Sequence, residues 1–179
     1  MPPTPLRRRA VAVVLALGLV LSALISASPA SATVPWSSLT VAQKQTLLIG
    51  AMYGRVNTER ALHNLAPVHA SPTLMKTAHA HNLMMAKYNL MAHQCPGEAS
   101  PGTRIWNAGY HWHRWGENVG WTTNETISGI LYMEYLMYIE TPPDDGHRLN
   151  ILGSYYSIGI DVYIDSVHHK MWYTQDFAV

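Results

Sequence analysis

Cysteine is almost absent from this chain of 179 residues, because Cys95 is the single example. An internal disulfide is therefore excluded, and a folded domain must be stabilised by its core. Free cysteine is among the residue types most often buried, so we predict that Cys95 is a buried and unreactive thiol. Charged residues are also scarce, at 13% of the chain, and the formal net charge is +1. With no basic excess, the sequence does not favour a nucleic-acid partner.

Two catalytic signatures are missing as well. The chain contains no Gly-x-Ser-x-Gly elbow and no His-Glu-x-x-His segment, which are the motifs of α/β-hydrolases and of many zinc peptidases. A single cysteine does not by itself make a catalytic triad. The sequence therefore offers no local motif for hydrolysis.

The N-terminal residues have the pattern of an export signal. Three arginines, Arg7 to Arg9, precede an apolar run over residues 10–25, and Ala30 and Ala32 form the small-residue pattern before a cleavage site. Sixteen apolar residues fall short of the eighteen or more expected for a membrane span, which is the alternative interpretation. We predict that residues 1–32 are a signal peptide, and that the protein is secreted to the medium or cell envelope with no transmembrane segment after cleavage.

Residues 33–179 remain after this cleavage and have the length of one domain. Without the three arginines of the signal, nine Lys and Arg face eleven Asp and Glu, a net charge of −2. The same segment holds all ten histidines of the chain. The charge of this domain should therefore rise as the pH falls through the usual imidazole range near 6.5.

Hydrophobic periodicity predicts helices first and strands last. Apolar residues at helical spacing predict helices over residues 40–64, 72–91 and 127–139, while alternation predicts strands over 158–164 and 171–177 joined as a hairpin. Residues 93–115 are rich in glycine, proline and tryptophan and are predicted to form a long loop. This order is typical of an α+β domain with helices packed on an antiparallel sheet.

Four short motifs occur in one order along the chain: 56–60 (Val-Asn-Thr-Glu-Arg), 116–119 (Gly-Glu-Asn-Val), 146–152 (Gly-His-Arg-Leu-Asn-Ile-Leu) and 173–177 (Tyr-Thr-Gln-Asp-Phe). With these motifs the segment 33–179 resembles the CAP/SCP family of extracellular proteins (cysteine-rich secretory protein, antigen 5 and pathogenesis-related 1), in a form without disulfides. The resemblance implies an α-β-α sandwich with a central antiparallel sheet and a large cleft.

The resemblance also implies a cleft tetrad of two histidines and two acids. His93, Glu117 and His147 match three members, and the fourth is either Glu140 or Glu134. These two acids are about 600° of helix rotation apart if both lie on the third predicted helix, so one of them at most should enter the cleft. We favour Glu140, but Glu134 better fits the expected offset from Glu117.

Several functions fit this tetrad. His93 and His147 are candidate ligands for a divalent cation such as zinc, with the carboxylates orienting the rings, and a polar cluster without metal is the alternative. A secreted protein that binds the metal, a lipid-like small ligand or both is the leading hypothesis, and it requires no catalysis. The rivals are a peptidase-like hydrolase that uses Glu117 or the second acid, and a cell-envelope adhesion module. Four tryptophans in or near the stretch 93–115 are expected either in the core or on a ligand-binding face (Trp106, Trp112, Trp115, Trp121).

Overall fold

A computed structural model describes residues 34–179 of the chain. The predicted signal peptide, residues 1–32, lies outside the described residues. The helices are α1 (Val41–Leu62), α2 (Pro72–Tyr88), α3 (Pro101–Asn107), α4 (Ile127–Tyr138) and α5 (Gly146–Ile151), and the strands are β1 (His69–Ala70), β2 (Trp115–Thr122), β3 (Ser157–Asp165) and β4 (Lys170–Ala178). None of the described helices combines the length and the hydrophobicity that a membrane crossing requires.

The four strands form one sheet in the order β1-β3-β4-β2. The predicted hairpin of β3 and β4 is confirmed, and β2 pairs antiparallel with the outer side of β4. The expectation of a purely antiparallel sheet is wrong, because β1 pairs parallel with β3, with His69 opposite Ser157. The sheet is mixed because β1, which follows α1 and lies at the edge beside β3, runs in the same direction as β3.

Helices cover both faces of the sheet, so the domain is an α-β-α sandwich, as the sequence predicted. On one face, α1, α4 and α5 pack on the alternate strand residues Ile158, Ile160 and Val162. On the other face, α2 crosses β3 and β4, and α3 packs beside it. The backbone of α2 lies so close to β3 that a Cβ at Gly159 would be 2.0 Å from the carbonyl carbon of Leu74. Any side chain at Gly159 would therefore push α2 away from the sheet.

The helix starts follow local capping signals. Thr40 begins α1 with a reciprocal capping box to Gln43, and Ser71 caps α2 ahead of a proline at the first turn. The stretch 93–115, predicted as a loop, contains α3, which begins at Pro101 directly after Ser100. The loop prediction was wrong there because seven helical residues are too few for periodicity to show, although the Ser-Pro start signal is present.

Candidate functional site

One cavity of about 390 Å³ lies where α4 ends and α5 begins, beside β2. It is lined by His93 from the segment after α2, Glu117 of β2, Glu140 from the segment after α4, and His147 of α5. Asp144, Gly146 and Asn150 complete the lining. Four residues selected from the sequence thus share one cavity.

The first histidine–acid pair is His93 with Glu117. The imidazole Nδ1 of His93 lies 2.8 Å from Oε1 of Glu117. The other carboxylate oxygen, Oε2, accepts a hydrogen bond from the guanidinium of Arg104. The Glu117 side chain is 1% exposed and that of His93 is 54% exposed. The buried carboxylate therefore orients a ring that reaches into solvent.

Arg104 contacts both members of this first histidine–acid pair. It lies on α3, and its guanidinium also donates to the backbone oxygen of His93 at 2.8 Å. Directly opposite Glu117, on β4, lies the buried Asp176. Burial and the neighbouring charge of Glu117 raise the pKa of Asp176 well above its ordinary value. The charged form of Asp176 is therefore disfavoured, and Arg104 faces the negative charge of Glu117.

The second pair is His147 with Glu140. The His147 Nδ1 lies 2.5 Å from Oε1 of Glu140, and the backbone nitrogen of His147 donates to Oε2 at 3.0 Å. Because α4 ends at Tyr138, Glu140 lies in the connection to α5 rather than on the helix. One carboxylate thus holds both the ring of His147 and the first turn of α5.

Each of the two cavity histidines has one ring nitrogen that the paired carboxylate does not contact. In the described part of the chain, Nε2 of neither His93 nor His147 has a hydrogen-bond partner. A carboxylate that accepts from Nδ1–H fixes the tautomer whose Nε2 carries a lone pair. The two rings therefore suit the chemistry of a divalent cation that is ligated by nitrogen and keeps positions for water.

Glu134, the other candidate for the fourth position, does not line this cavity. It is fully buried in α4 and accepts a hydrogen bond from the side-chain amide of Gln175. Burial, with a further contribution from the charge of Glu59, raises the pKa of Glu134 to about 8. Glu134 is accordingly a neutral acid in the interior at pH 7.

An amide network beneath the cavity joins three of the sequence motifs. Asn118 donates to the side-chain oxygen of Gln175 at 3.0 Å and to the backbone oxygen of His147 at 3.2 Å. Asn150 donates to the backbone oxygen of Glu117 and to the side chain of Asn118. We did not select Asn118, Asn150, Gln175 or Arg104 from the sequence, although the first three lie within the motifs. The hydrogen bonds of these side chains join residues that are distant in the sequence, so they leave no periodic pattern in it.

A second group of ligand types lies elsewhere on the α2 face. His81, Cys95 and Glu98 bring one ligand atom each within 4.8 Å of one another, so this group could hold a metal ion. The His81 Nδ1 is 2.9 Å from both oxygens of Glu98. Burial, and then the charge of Glu98, raise the pKa of the Cys95 thiol. The prediction that Cys95 is buried is confirmed, and its protonated thiol is a weak metal ligand.

An apolar groove of about 490 Å³ adjoins the histidine cavity and shares Glu140 and His147 with it. Its lining comes from β2, α4, the segment after α2 and β4 (Met91, Val119, Gly120, Trp121, Thr122, Thr123, Met133, Leu136, Met137, Tyr173). Trp121 is 38% exposed there, and Trp106 is exposed elsewhere against His111. Trp112 and Trp115 pack on the core instead. Two of these four tryptophans thus pack on the core, and the other two lie at the surface.

Comparison with known proteins agrees with this architecture. Residues 53–177 match the model of the CAP family, described as the cysteine-rich secretory protein family. No protein of curated function matches the chain.

Several solved structures share the fold. An extracellular protein of Bacillus anthracis that contains an SCP domain is 22% identical, with a TM-score of 0.65 over 78% of this chain and 44% of that one. An outer surface protein of Borrelia burgdorferi is 14% identical, with a TM-score of 0.64 over 74% of this chain and 92% of that one. A cysteine-rich secretory protein of Staphylococcus aureus is 20% identical, with a TM-score of 0.53 over 75% and 38%.

The chain spans less than half the length of the Bacillus and Staphylococcus proteins. At these identities the solved structures establish the fold, while the family model covers more than two thirds of the chain. On that match, and with an α-β-α sandwich around its mixed sheet, the chain belongs to the CAP family.

Proposed function

We propose that this is an exported binding protein whose cleft holds a divalent cation such as zinc through Nε2 of His93 and Nε2 of His147. Glu117 and Glu140 are the carboxylates that orient the two rings. The single observation that carries the proposal is the matched geometry of the two pairs, in which each Nδ1 contacts a carboxylate and both histidines line the same cavity. Such carboxylate–histidine pairs are the usual support of metal-ligating imidazoles.

The residues present fit such a cation in kind, as two imidazoles, while the group of three ligand atoms found in the described residues is that of His81, Cys95 and Glu98. Two imidazole nitrogens supply the ligands, and the cavity is open enough for water at the remaining positions. When bound, the cation would supply a Lewis acid that attracts an oxygen or nitrogen atom of a ligand. The chain itself holds the rings in place through the contacts of Glu117 and Glu140 with the two Nδ1 atoms.

Binding is favoured over hydrolysis by the state of the carboxylates. Both oxygens of Glu117 accept hydrogen bonds, one from His93 and one from Arg104. Both oxygens of Glu140 are bonded to His147. Each of these four oxygens already accepts a hydrogen bond, so a proton to be removed would have to reach the remaining lone pair of one of them. We therefore propose ligand capture, and the apolar groove beside the cation is the place for the apolar part of that ligand.

Export is supported by the arginine-flanked apolar run before the predicted cleavage after Ala32 and by what the similar structures are. The Bacillus protein is described as extracellular and the Borrelia protein as an outer surface protein. N-terminal sequencing of the protein from the culture medium tests this, with residue 33 expected as the first and a start at Met1 contradicting it.

Isothermal titration with zinc chloride tests the cation site. The purified protein should bind one zinc ion, and the double variant His93→Ala/His147→Ala should lose that binding. The matched control is His111→Ala/His113→Ala, which removes two other histidines from a surface segment and should leave the titration unchanged. Equal zinc affinity in the wild type and the His93/His147 variant would refute the proposed site.

A further inference from the structure

Strand β2 is an edge strand, and the pairing pattern shows which of its backbone groups face outward. Arg114 and Val179 exchange two backbone hydrogen bonds, of 3.2 and 3.0 Å. In an antiparallel pair such residues alternate with residues whose backbone groups point away from the partner. The register continues without interruption from Trp115 opposite Ala178 to Thr122 opposite Met171. The odd-numbered residues of β2 therefore direct their N–H and C=O groups to the free edge.

Only the first half of this edge has partners. The backbone oxygen of Trp115 accepts from the hydroxyl of Tyr155, and that of Glu117 accepts from Asn150, each at 3.1 Å. Farther along, the N–H and C=O groups of Val119 and Trp121 have no hydrogen-bond partner within residues 34–179. Two donors and two acceptors thus lie in a row.

The apolar groove lies along the unpartnered half of the edge. Val119 packs toward α2, while Gly120 faces Tyr173 on the opposite side, and both line the groove. Because neighbouring strand residues point to opposite faces, a groove that reaches both must lie along the edge itself. The opposite wall is Met133 and Leu136 of α4.

We propose that an extended peptide binds in this groove as an additional strand on β2, with apolar side chains at alternate positions. The proposal rests on the proposed ligand-binding role of the cleft and names the class of its ligand. An acyl chain would fill the apolar wall but would leave the N–H and C=O groups of Val119 and Trp121 without partners. A peptide strand supplies both acceptors and donors, and alternate side chains reach Met133 and Leu136.

Charge sets the character of one end of the peptide. The groove joins the histidine cavity at Glu140 and His147, and the lining of that cavity includes Asp144. Asp144 is exposed and makes no ion pair with any residue of the described range. No lysine or arginine lines either cavity. A basic residue of the peptide therefore pairs with Asp144, while the cation site keeps His93 and His147.

The span from Glu117 to Trp121 is roughly 14 Å, the length of about five extended residues.

Affinity selection from a defined peptide pool tests the proposal. The pool contains heptapeptides with lysine first and with valine, leucine or methionine at the third, fifth and seventh positions, the others being varied. The wild-type protein should retain a subset of these peptides. Selected peptides are then remade with N-methyl groups on the even-numbered or on the odd-numbered amides. One frame should weaken binding by about tenfold or more because it removes the hydrogen bonds to β2, and the other frame should bind nearly unchanged.

Protein variants test the place of binding. Leu136→Arg puts a charged side chain on the groove wall and should reduce peptide affinity by about tenfold or more. The matched control is Leu83→Arg, a leucine of similar exposure on α2 that lines none of the cavities described above and should leave the affinity unchanged. Asp144→Asn should cost about two- to fivefold and should remove the preference for lysine.

The results that overturn the proposal are distinct. Equal binding of both methylated frames, or no peptide retained, would exclude strand addition, and capture of sodium oleate by wild type but not by Leu136→Arg would assign the groove to a lipid. Sedimentation of the wild type as a dimer that Leu136→Arg disrupts would assign the edge to a second copy of the chain. Zinc titration of the same samples separates this proposal from the cation site. Leu136→Arg should bind zinc normally, and His93→Ala, which removes a cation ligand that does not line the groove, should weaken zinc binding and still bind peptide.

Discussion

Glu117 and Glu134 are both buried acids, but they lie on opposite faces of the sheet and meet different neighbours. Glu117 contacts the guanidinium of Arg104 and the ring of His93. Glu134 faces a second acid, Glu59, whose charge together with burial raises the pKa of Glu134. Burial alone therefore does not identify a site residue. The charge of the group packed against each acid decides whether it is a carboxylate that orients a histidine or a neutral acid in the core.

The largest effect is expected from replacing Arg104, the positively charged residue that contacts Glu117 and distinguishes its environment from that of Glu134. Arg104→Met should lower the free energy of unfolding by about 3–5 kcal/mol, because it leaves the buried carboxylates of Glu117 and Glu98 without their guanidinium partner. Urea denaturation measures this loss. The control is Arg114→Met, since Arg114 is exposed, donates to a backbone oxygen and should cost less than about 1 kcal/mol. Similar losses in the two variants would contradict the role given to Arg104.

The next largest effect is expected from substituting Glu140, with the same substitution of Glu134 as the matched comparison. Glu140→Gln should weaken zinc binding by about 10-fold to 100-fold, because the amide no longer holds Nδ1 of His147 as a carboxylate does. Glu134→Gln should leave the zinc affinity unchanged, since Glu134 does not line the cavity. Calorimetric titration of both variants checks this. A larger effect of Glu134→Gln would mean that the assignment of the fourth position is reversed.

The pH dependence of stability gives a third test of the same contrast. The pKa of Glu134 is about 8 in the folded protein against an ordinary value of 4.5. Between these values the unfolded chain has lost a proton that the folded protein still holds, so stability falls as the pH rises and levels off above about 8. One proton corresponds to a slope of at most about 1.4 kcal/mol per pH unit.

Glu134→Gln should flatten this part of the profile, because glutamine keeps a neutral side chain at every pH. Urea unfolding of wild type and variant from pH 5 to pH 9 measures the difference. Parallel profiles would show that Glu134 does not retain its proton. Glu59 is a second contributor, since burial raises its pKa as well.

The smallest effect is expected at the other group of ligand types. Cys95→Ser should leave zinc affinity within about twofold, because the raised pKa of the buried thiol disfavours the thiolate that zinc requires. Cobalt titration gives an independent check, since a thiolate ligand produces a sulfur-to-cobalt charge-transfer band that imidazole ligands do not. Such a band in the wild type, lost in Cys95→Ser, would place the cation at His81, Cys95 and Glu98 instead.

Regular elements were predictable from the sequence, and short ones were not. Helical spacing of Leu48, Met52 and Val56 predicted α1, and the alternation in β3 predicted a strand with one face on the core. β1 has two residues and α3 has seven, so neither shows a period. Periodicity did not predict β2, because Glu117 and Asn118 are polar residues buried in its interior by long-range hydrogen bonds.

The site was predictable as a set of residue types but not as a geometry. The motifs contain Glu117 and His147, the family resemblance indicated His93, and the choice between Glu134 and Glu140 depended on where α4 ends. The predicted end at residue 139 agrees with α4 to within one residue, but the sequence does not show that the following segment brings Glu140 against His147. Arg104 was missed for the same reason, since its contact with Glu117 requires the short helix α3 to return to β2.

A crystal structure of the protein grown with zinc, with anomalous data at the zinc edge, shows whether His93 and His147 share one cation. We expect one peak in the cavity, within about 2.0 to 2.1 Å of Nε2 of both His93 and His147, with each Nδ1 still bonded to its carboxylate. A peak at His81, Cys95 and Glu98, or rings of His93 and His147 that do not share an ion, would contradict it.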